Sequence, residues 1–292
     1  MTTLLRQLRR IVLTALIGGL LGATLVRLSP GFGVDERELD SRLSRDSVEA
    51  IRAQHAGERN LGAFYLRYLS GLVRGDFGFS RTLNRPISEL LKERLPLTLA
   101  SLTYGVTGGV LAGVALALLT LAARSKTLDL FSSAFTGLCL SVPTAVVALF
   151  FFWMGAAGRW AIALAVFPPV YRYAKNLFVE VYQRPHVVAA QARGVSTIRI
   201  LFAHIMAPVA PQIAALAGIS VSLAFGAAIP IEVICDTPGI GQLAWQAALA
   251  RDLPLLVTIT VLVAILTVTV NSLAETAIAA TRHPAPGGTH PA

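Results

Sequence analysis

The chain has 292 residues, of which 54% are hydrophobic and only 14% charged. A soluble domain usually carries about a quarter charged residues, so a soluble surface is excluded, and two cysteines, Cys139 and Cys235, exclude a disulfide scaffold. The net charge of +9 comes without the interleaved basic and aromatic runs that bind nucleic acid, so the Lys and Arg residues are read as topology signals in a membrane and no nucleic-acid partner is expected.

A helix needs about 20 mostly apolar residues to cross the hydrocarbon core. Ile11 to Val26 is uncharged and forms the first candidate span. Its basic start and apolar middle also fit a signal peptide, but it ends Leu-Val-Arg-Leu-Ser-Pro-Gly with no A-x-A-like cleavage site. Residues 1–28 are therefore taken as a cytoplasmic N-terminus plus the first span.

Residues 29–95 form a polar segment with 11 basic and 10 acidic residues, nearly neutral and able to cross the membrane. Asp46 and Glu49 have capping-box spacing. Leu61, Phe64, Tyr65, Tyr68 and Leu72 follow the spacing of one helical face. A third helix is expected from Pro86, with Ile87, Leu90, Leu91 and Leu95 on one stripe. Packing against the membrane surface or the rest of the protein is the expected use of these stripes.

Residues 96–281 hold the remaining spans. Leu97 to Ala123 and Leu130 to Gly158 carry no charge. Trp160 to Tyr171 is apolar but short, so its helix must continue to about Tyr182, with Arg172 and Lys175 snorkelling. Ile200 to Ile231 and Leu253 to Ala274 lack Asp, Glu, Lys and Arg. With the N-terminus inside behind Arg6, Arg9 and Arg10, six spans put the long basic loop inside and only Arg159 and Arg251 in the short outside loops. Five spans would put that basic loop outside. The expectation is an all-α integral membrane protein with six transmembrane helices, both termini cytoplasmic and a disordered tail over 282–292.

Reactive chemistry is absent from the pattern. No Gly-x-x-x-x-Gly-Lys-Ser/Thr loop, metal-ligand His pair or Gly-x-Ser-x-Gly elbow occurs. No catalytic residue, metal site or bound cofactor is expected. A proton-driven carrier keeps ionisable groups mid-membrane; here Glu232 and Glu275 are placed at span ends. The spans do carry helix breakers, at Pro143, Pro168, Pro169, Pro208, Pro211 and Pro230. Their hydroxyls and little charge discriminate poorly between cargoes, so selectivity is expected outside this chain.

The longest inside segment, 183–204, favours helix at Ala189, Ala190 and Ala192. Gly194 is expected to end that helix in a left-handed turn, with a second helix from Ser196. Arg193 and Arg199 flank this knob. Val188-Ala189-Ala190, three residues and Gly194 resemble the Ala-Ala-x-x-x-Gly core of the "EAA" loop of ABC importer permeases. Three more segments are similar to the dipeptide/oligopeptide/nickel branch of that family: Gly75-Asp76-Phe77-Gly78-Phe79-Ser80, Arg85-Pro86 through Thr98, and Glu232 with Pro238-Gly239-Ile240-Gly241 and Ala250 through Pro254.

The resemblance implies a type I ABC importer permease fold in the inner membrane. It implies three kinds of partner: a second homologous permease subunit, two ATPase subunits that hold ATP and Mg, and an extracytoplasmic binding protein that delivers cargo. Ala189, Ala190 and Gly194, with Arg193 and Arg199, would then couple to the ATPase. Val188 replaces the motif's Glu, so a Glu salt bridge to the ATPase is not carried over. Glu232, Pro238, Gly239 and Gly241 would lie near the extracytoplasmic mouth, and the run Pro238-Gly239-Ile240-Gly241 itself reads as a tight turn. The implied cargo is a short peptide, with nickel or another small solute as the alternative and a self-contained secondary carrier as the rival of another class.

Overall fold

A computed structural model describes residues 9, 10, 12–14, 16–21, 24, 68, 70, 71 and 74–281. The capping-box pair at 46 and 49, most of the stripe at 61–72 and the tail at 282–292 lie outside the described residues. Every described residue from 9 to 24 is helical. The chain divides into two compact units, one of residues 1–96 and 238–266, the other of 97–237 and 267–292.

The first unit contains a hairpin of two-residue strands and a small apolar core. Strand β1 (Phe79–Ser80) pairs antiparallel with β2 (Arg85–Pro86), Phe79 opposite Pro86 and Ser80 opposite Arg85. Helix α1 (Ile87–Ala123) follows directly. Its first turns bury Ile87, Leu90 and Leu91 against Leu243 and Ala247, and against Leu255 and Ile259, with Leu95 packed alongside. The expected stripe is thus a core-facing stripe. It is not a separate helix, however: α1 runs unbroken through Pro96 into the apolar stretch beyond.

In the second unit, α1 continues from Leu97 and meets α4 (Gly158–Tyr182) along a line of glycines. A Cβ on Gly105 would lie 2.5 Å from Ile162, one on Gly109 2.8 Å from the Ala163 carbonyl, and one on Gly113 2.8 Å from Val170. Small residues four apart let two helix backbones approach closely, as apolar spans require where lipid supplies no hydrophobic drive between them. Ile162, Val166, Val170, Tyr171, Ala174 and Phe178 of α4 are all buried.

Between these helices lie α2 (Lys126–Ser141) and α3 (Thr144–Trp153). A single straight span over Leu130 to Gly158 is not what forms. The two helices are bent by 98° at Val142–Pro143. Proline pushes its preceding residue out of the helical region, and Val142 is extended at φ −87°, ψ 125°. Pro168 and Pro169, by contrast, do not break α4. Each removes one backbone bond, but α4 buries one face along its whole length, from Ala161 to Val181, whereas α2 buries only Ser132 and Thr136.

The unit closes with α5 (Pro185–Ala192), α6 (Thr197–Ile234) and, in part, the last helix. Helices α7 (Ile240–Leu249) and α8 (Leu253–Thr281) follow, α8 lying in the first unit to Leu266 and in the second from Thr267. In the second unit Asn271 Nδ2 donates to Ser222 Oγ at 3.2 Å, tying α8 to α6. Among the described residues α1, α6 and α8 are each long and apolar enough to cross a membrane, and α2 with α3 forms a fourth, broken candidate. Helix α4 ends at Tyr182, where the sequence places its end. At 25 residues it is about 37 Å long, but it carries Arg172, Lys175 and Glu180. Lys175 pairs with Asp129 of α2 rather than standing alone.

Candidate functional site

The loop candidates at 183–204 sit in the second unit. Pro185 opens α5 at its first position, where the missing N–H has no helical partner to lose. The helix ends in Schellman geometry. Gly194 N–H donates to the Gln191 carbonyl at 2.9 Å and Val195 N–H to the Ala190 carbonyl at 3.2 Å. Gly194 has φ +74°, a left-handed conformation that strains any residue with a Cβ. Ser196 then precedes α6. Helix, left-handed glycine and helix are thus the geometry the sequence foretells.

Burial divides this loop into a base and a face. Val187, Ala190, Ile200, Leu201 and Ile205 are buried. Val188, Ile198 and Phe202 are 53%, 71% and 60% exposed, and Ala189, Arg193 and Arg199 are exposed with them. An apolar face set with guanidinium groups can seat a protein surface. It brings together no nucleophile and base.

The start of α6 is not a plain helix. Ile200–Met206 is a π-helical segment, with Ala207 N–H bonded to the Phe202 carbonyl five residues back. Pro208 follows and has no N–H, so the His204 carbonyl lacks its α-helical donor. His186 of α5 lies with Nε2 3.3 Å from that carbonyl oxygen. The tautomer that carries its proton on Nε2 donates this bond.

Glu232 departs from expectation. It lies within α6, not beyond its end, and is 1% exposed. Thr98 Oγ1, also buried, donates to Glu232 Oε1 at 2.7 Å. The helix continues past Ile231 to Ile234, which draws the carboxylate inside. An acid expected at the headgroup level is therefore held in the protein interior.

Pro238, Gly239 and Gly241 belong to the first unit. They do not form a tight turn. Gly239 caps the N-terminus of α7, and Ile240 and Gly241 are its first residues. The segment at 75–80 is likewise a built loop. Gly75 and Gly78 have φ +76° and +78°, and Gly78 N–H donates to Asp76 Oδ1 at 2.9 Å. Beyond it, Ser80 Oγ donates to Asp252 Oδ2 at 2.7 Å and Thr82 N–H to the same oxygen at 3.1 Å. Asp252 Oδ1 accepts from Leu255 N–H at 3.2 Å, capping α8. Asp252 was missed as a site, although Asp before Leu-Pro at a helix start is a legible cap signal.

A family model described as "Binding-protein-dependent transport system inner membrane component" matches residues 105–281. A putative peptide permease protein of Brucella suis is 26% identical, over 87% of this chain and 89% of its own length. A putative peptide transport system permease protein of the same species is 29% identical, over 93% of this chain and 95% of its own. The glutathione transport system permease protein of Shigella flexneri is 24% identical, over 86% and 88%.

Proposed function

The chain belongs to the family of inner membrane components of binding-protein-dependent transport systems, and on that premise we propose that it is the pathway-forming permease subunit of an ATP-driven importer of short peptides. The observation that carries the cargo is that relatives matching along nearly the whole chain are named peptide and glutathione permeases. Nickel or another small solute is the alternative cargo within the same reading.

Six spans follow if the N-terminal helical segment, α1, the bent pair α2 and α3, α4, α6 and α8 each cross once. Both termini and the loop at 183–204 then lie in the cytoplasm, and 29–95 lies outside. In this arrangement Ala189, Ala190, Gly194, Arg193 and Arg199 seat against an ATPase subunit. ATP and Mg belong to two such subunits, and a second permease and a binding protein complete the importer. The buried Glu232 is the one observation that favours a self-contained carrier. Its bond to Thr98 gives it a role within the fold, so the importer is preferred.

Co-purification with an ATPase, and peptide uptake that needs both it and the binding protein, test the reading. Cysteines placed at Ser125 and Ser196 are expected to react with an impermeant thiol reagent only after permeabilisation. Labelling of Ser196→Cys in intact cells overturns the topology, and peptide uptake without any ATPase overturns the importer.

A further inference from the structure

The second unit contains a cleft of about 320 Å³ lined by Ser101 of α1, Phe152 of α3, the run Gly155 to Arg159, and Cys235 and Thr237 after α6. That volume falls at the lower end of ligand clefts. Gly155-Ala156-Ala157-Gly158 offers almost no side chain to fill it. Gly158 faces Ile231 and Cys235: an added Cβ would lie 3.1 Å from the Ile231 side chain and 3.5 Å from the Cys235 Cβ.

Among the described residues Arg159 is the one charged residue in the lining, and no described carboxylate lines the cleft. Its guanidinium rests over the Tyr104 ring, 5.5 Å from the centroid. A cation–π contact is weaker and less directional than a charge-assisted bond to a carboxylate, so an arriving anion can draw the guanidinium away from the ring. Ser101 and Thr237 add hydroxyl donors, and Thr237 N–H is already committed to the Glu232 carbonyl. Glu232 itself lies one helical turn before Cys235, buried against Thr98, and takes no part in the lining.

We propose that this cleft is a weak carboxylate subsite, in which Arg159 receives the C-terminal carboxylate of the peptide in transit, with hydroxyl donation from Ser101 and Thr237. The proposal rests on the importer reading, which puts the turn before Arg159 on the outer side. Every peptide carries that carboxylate whatever its side chains, so the subsite recognises the class without selecting a member. Its openness and its single cation keep binding weak, which lets the cargo leave.

Cys235 lines the cleft and reports on its occupancy. The test uses the assembled importer with Cys139→Ala, in a phosphate-free maltoside detergent. A small thiol reagent modifies Cys235 while dialanine or dialanine amide is titrated to tens of millimolar. Dialanine is expected to slow modification, about threefold at twice its Kd by mass action; the amide is expected to have no effect. Arg159→Gln is expected to abolish protection, read in each variant as the ratio of modification rates with and without dialanine, and Arg159→Lys to retain part of it. Equal protection by acid and amide overturns the proposal, as does no protection. Protection by phosphatidylglycerol alone also overturns it and assigns the cleft to a lipid phosphate. Uptake by the same complex, reconstituted into sealed vesicles, is measured in parallel. A complex that transports but shows no protection refutes the subsite alone, whereas one without ATP-dependent uptake refutes the importer reading.

Discussion

Ser80 and Asp252 stand 172 residues apart in the chain and are joined by a buried 2.7 Å hydrogen bond. The same carboxylate accepts from two backbone N–H groups, Thr82 and Leu255. One side chain thus fixes the hairpin and starts the last helix. Replacing Asp252 with Ala leaves three donors without their acceptor, each costing about 1–3 kcal/mol when buried. Asp252→Ala is expected to lower the melting temperature of the purified protein sharply, and Ser80→Ala to lower it less, because Asp252 keeps its two backbone donors and only Leu83 N–H loses an acceptor. Equal melting temperatures for wild type and Asp252→Ala would show that the carboxylate is dispensable.

The glycine line of α1 gives a positional prediction. A Cβ at Gly109 meets the Ala163 carbonyl, a backbone atom that cannot swing aside. Gly109→Val is expected to abolish accumulation of folded protein. At Gly108 the nearest atom is 3.7 Å away, an ordinary contact, so Gly108→Ala is expected to accumulate normally. Membrane fractions probed for both variants decide the matter.

Thr98 and Glu232 separate stability from transport. Gln at 232 keeps an oxygen for Thr98, so Glu232→Gln is expected to accumulate normally yet lower uptake. Thr98→Val removes the donor and leaves a buried acceptor short, costing about 1–3 kcal/mol. Uptake kinetics unchanged in Glu232→Gln would reduce this pair to a structural contact.

Gly194 is the simplest test of the docking loop. Any side chain at its φ of +74° costs roughly 1 kcal/mol or more. Gly194→Val is expected to reach the membrane but to bind its ATPase weakly or to hydrolyse ATP without transport. Wild-type uptake per ATP hydrolysed would make the loop an ordinary linker.

His186 and Pro208 form a suppressor pair. His186→Ala removes the side-chain donor from the His204 carbonyl and is expected to lower uptake per ATP. His186→Gln keeps an N–H donor and is expected to restore part of it. Pro208→Ala supplies a backbone N–H and is expected to suppress the His186→Ala defect. A double variant no better than His186→Ala would mean that the carbonyl is satisfied some other way.

What the sequence makes legible is local. Gly194, four residues after an alanine pair, announces a helix end because left-handed geometry is cheap only for glycine. The stripe from Ile87 to Leu95 announces a buried face because its period is helical. Pro143, Pro168 and Pro169 look alike in the sequence, yet only Pro143 breaks a helix, because the difference lies in what the neighbouring turns bury. Glu232 was placed at a span end because burying a charge is costly, and the Thr98 hydroxyl that makes burial tolerable is 134 residues away. The Ser80–Asp252 bond is hidden for the same reason: nothing in either segment names the other.

The π-helical segment at Ile200–Met206 sets the phase of everything after it. Each residue of an α-helix turns the chain by about 100°, and a single π turn holds one residue more than an α turn does. The buried positions through this stretch fall at 200, 201, 205 and 209, the last three of them four apart, rather than in the mixed three-and-four rhythm of a plain helix. Removing one residue there would restore that rhythm and rotate the rest of α6 by about a quarter turn or slightly more. Ala224, Ile231 and Glu232 would then turn away from the interior while the docking loop kept its place. The surplus residue is therefore an indexing element: it decides which face of a 28-residue helical stretch looks inward, and a one-residue deletion would scramble the core without touching a single core side chain.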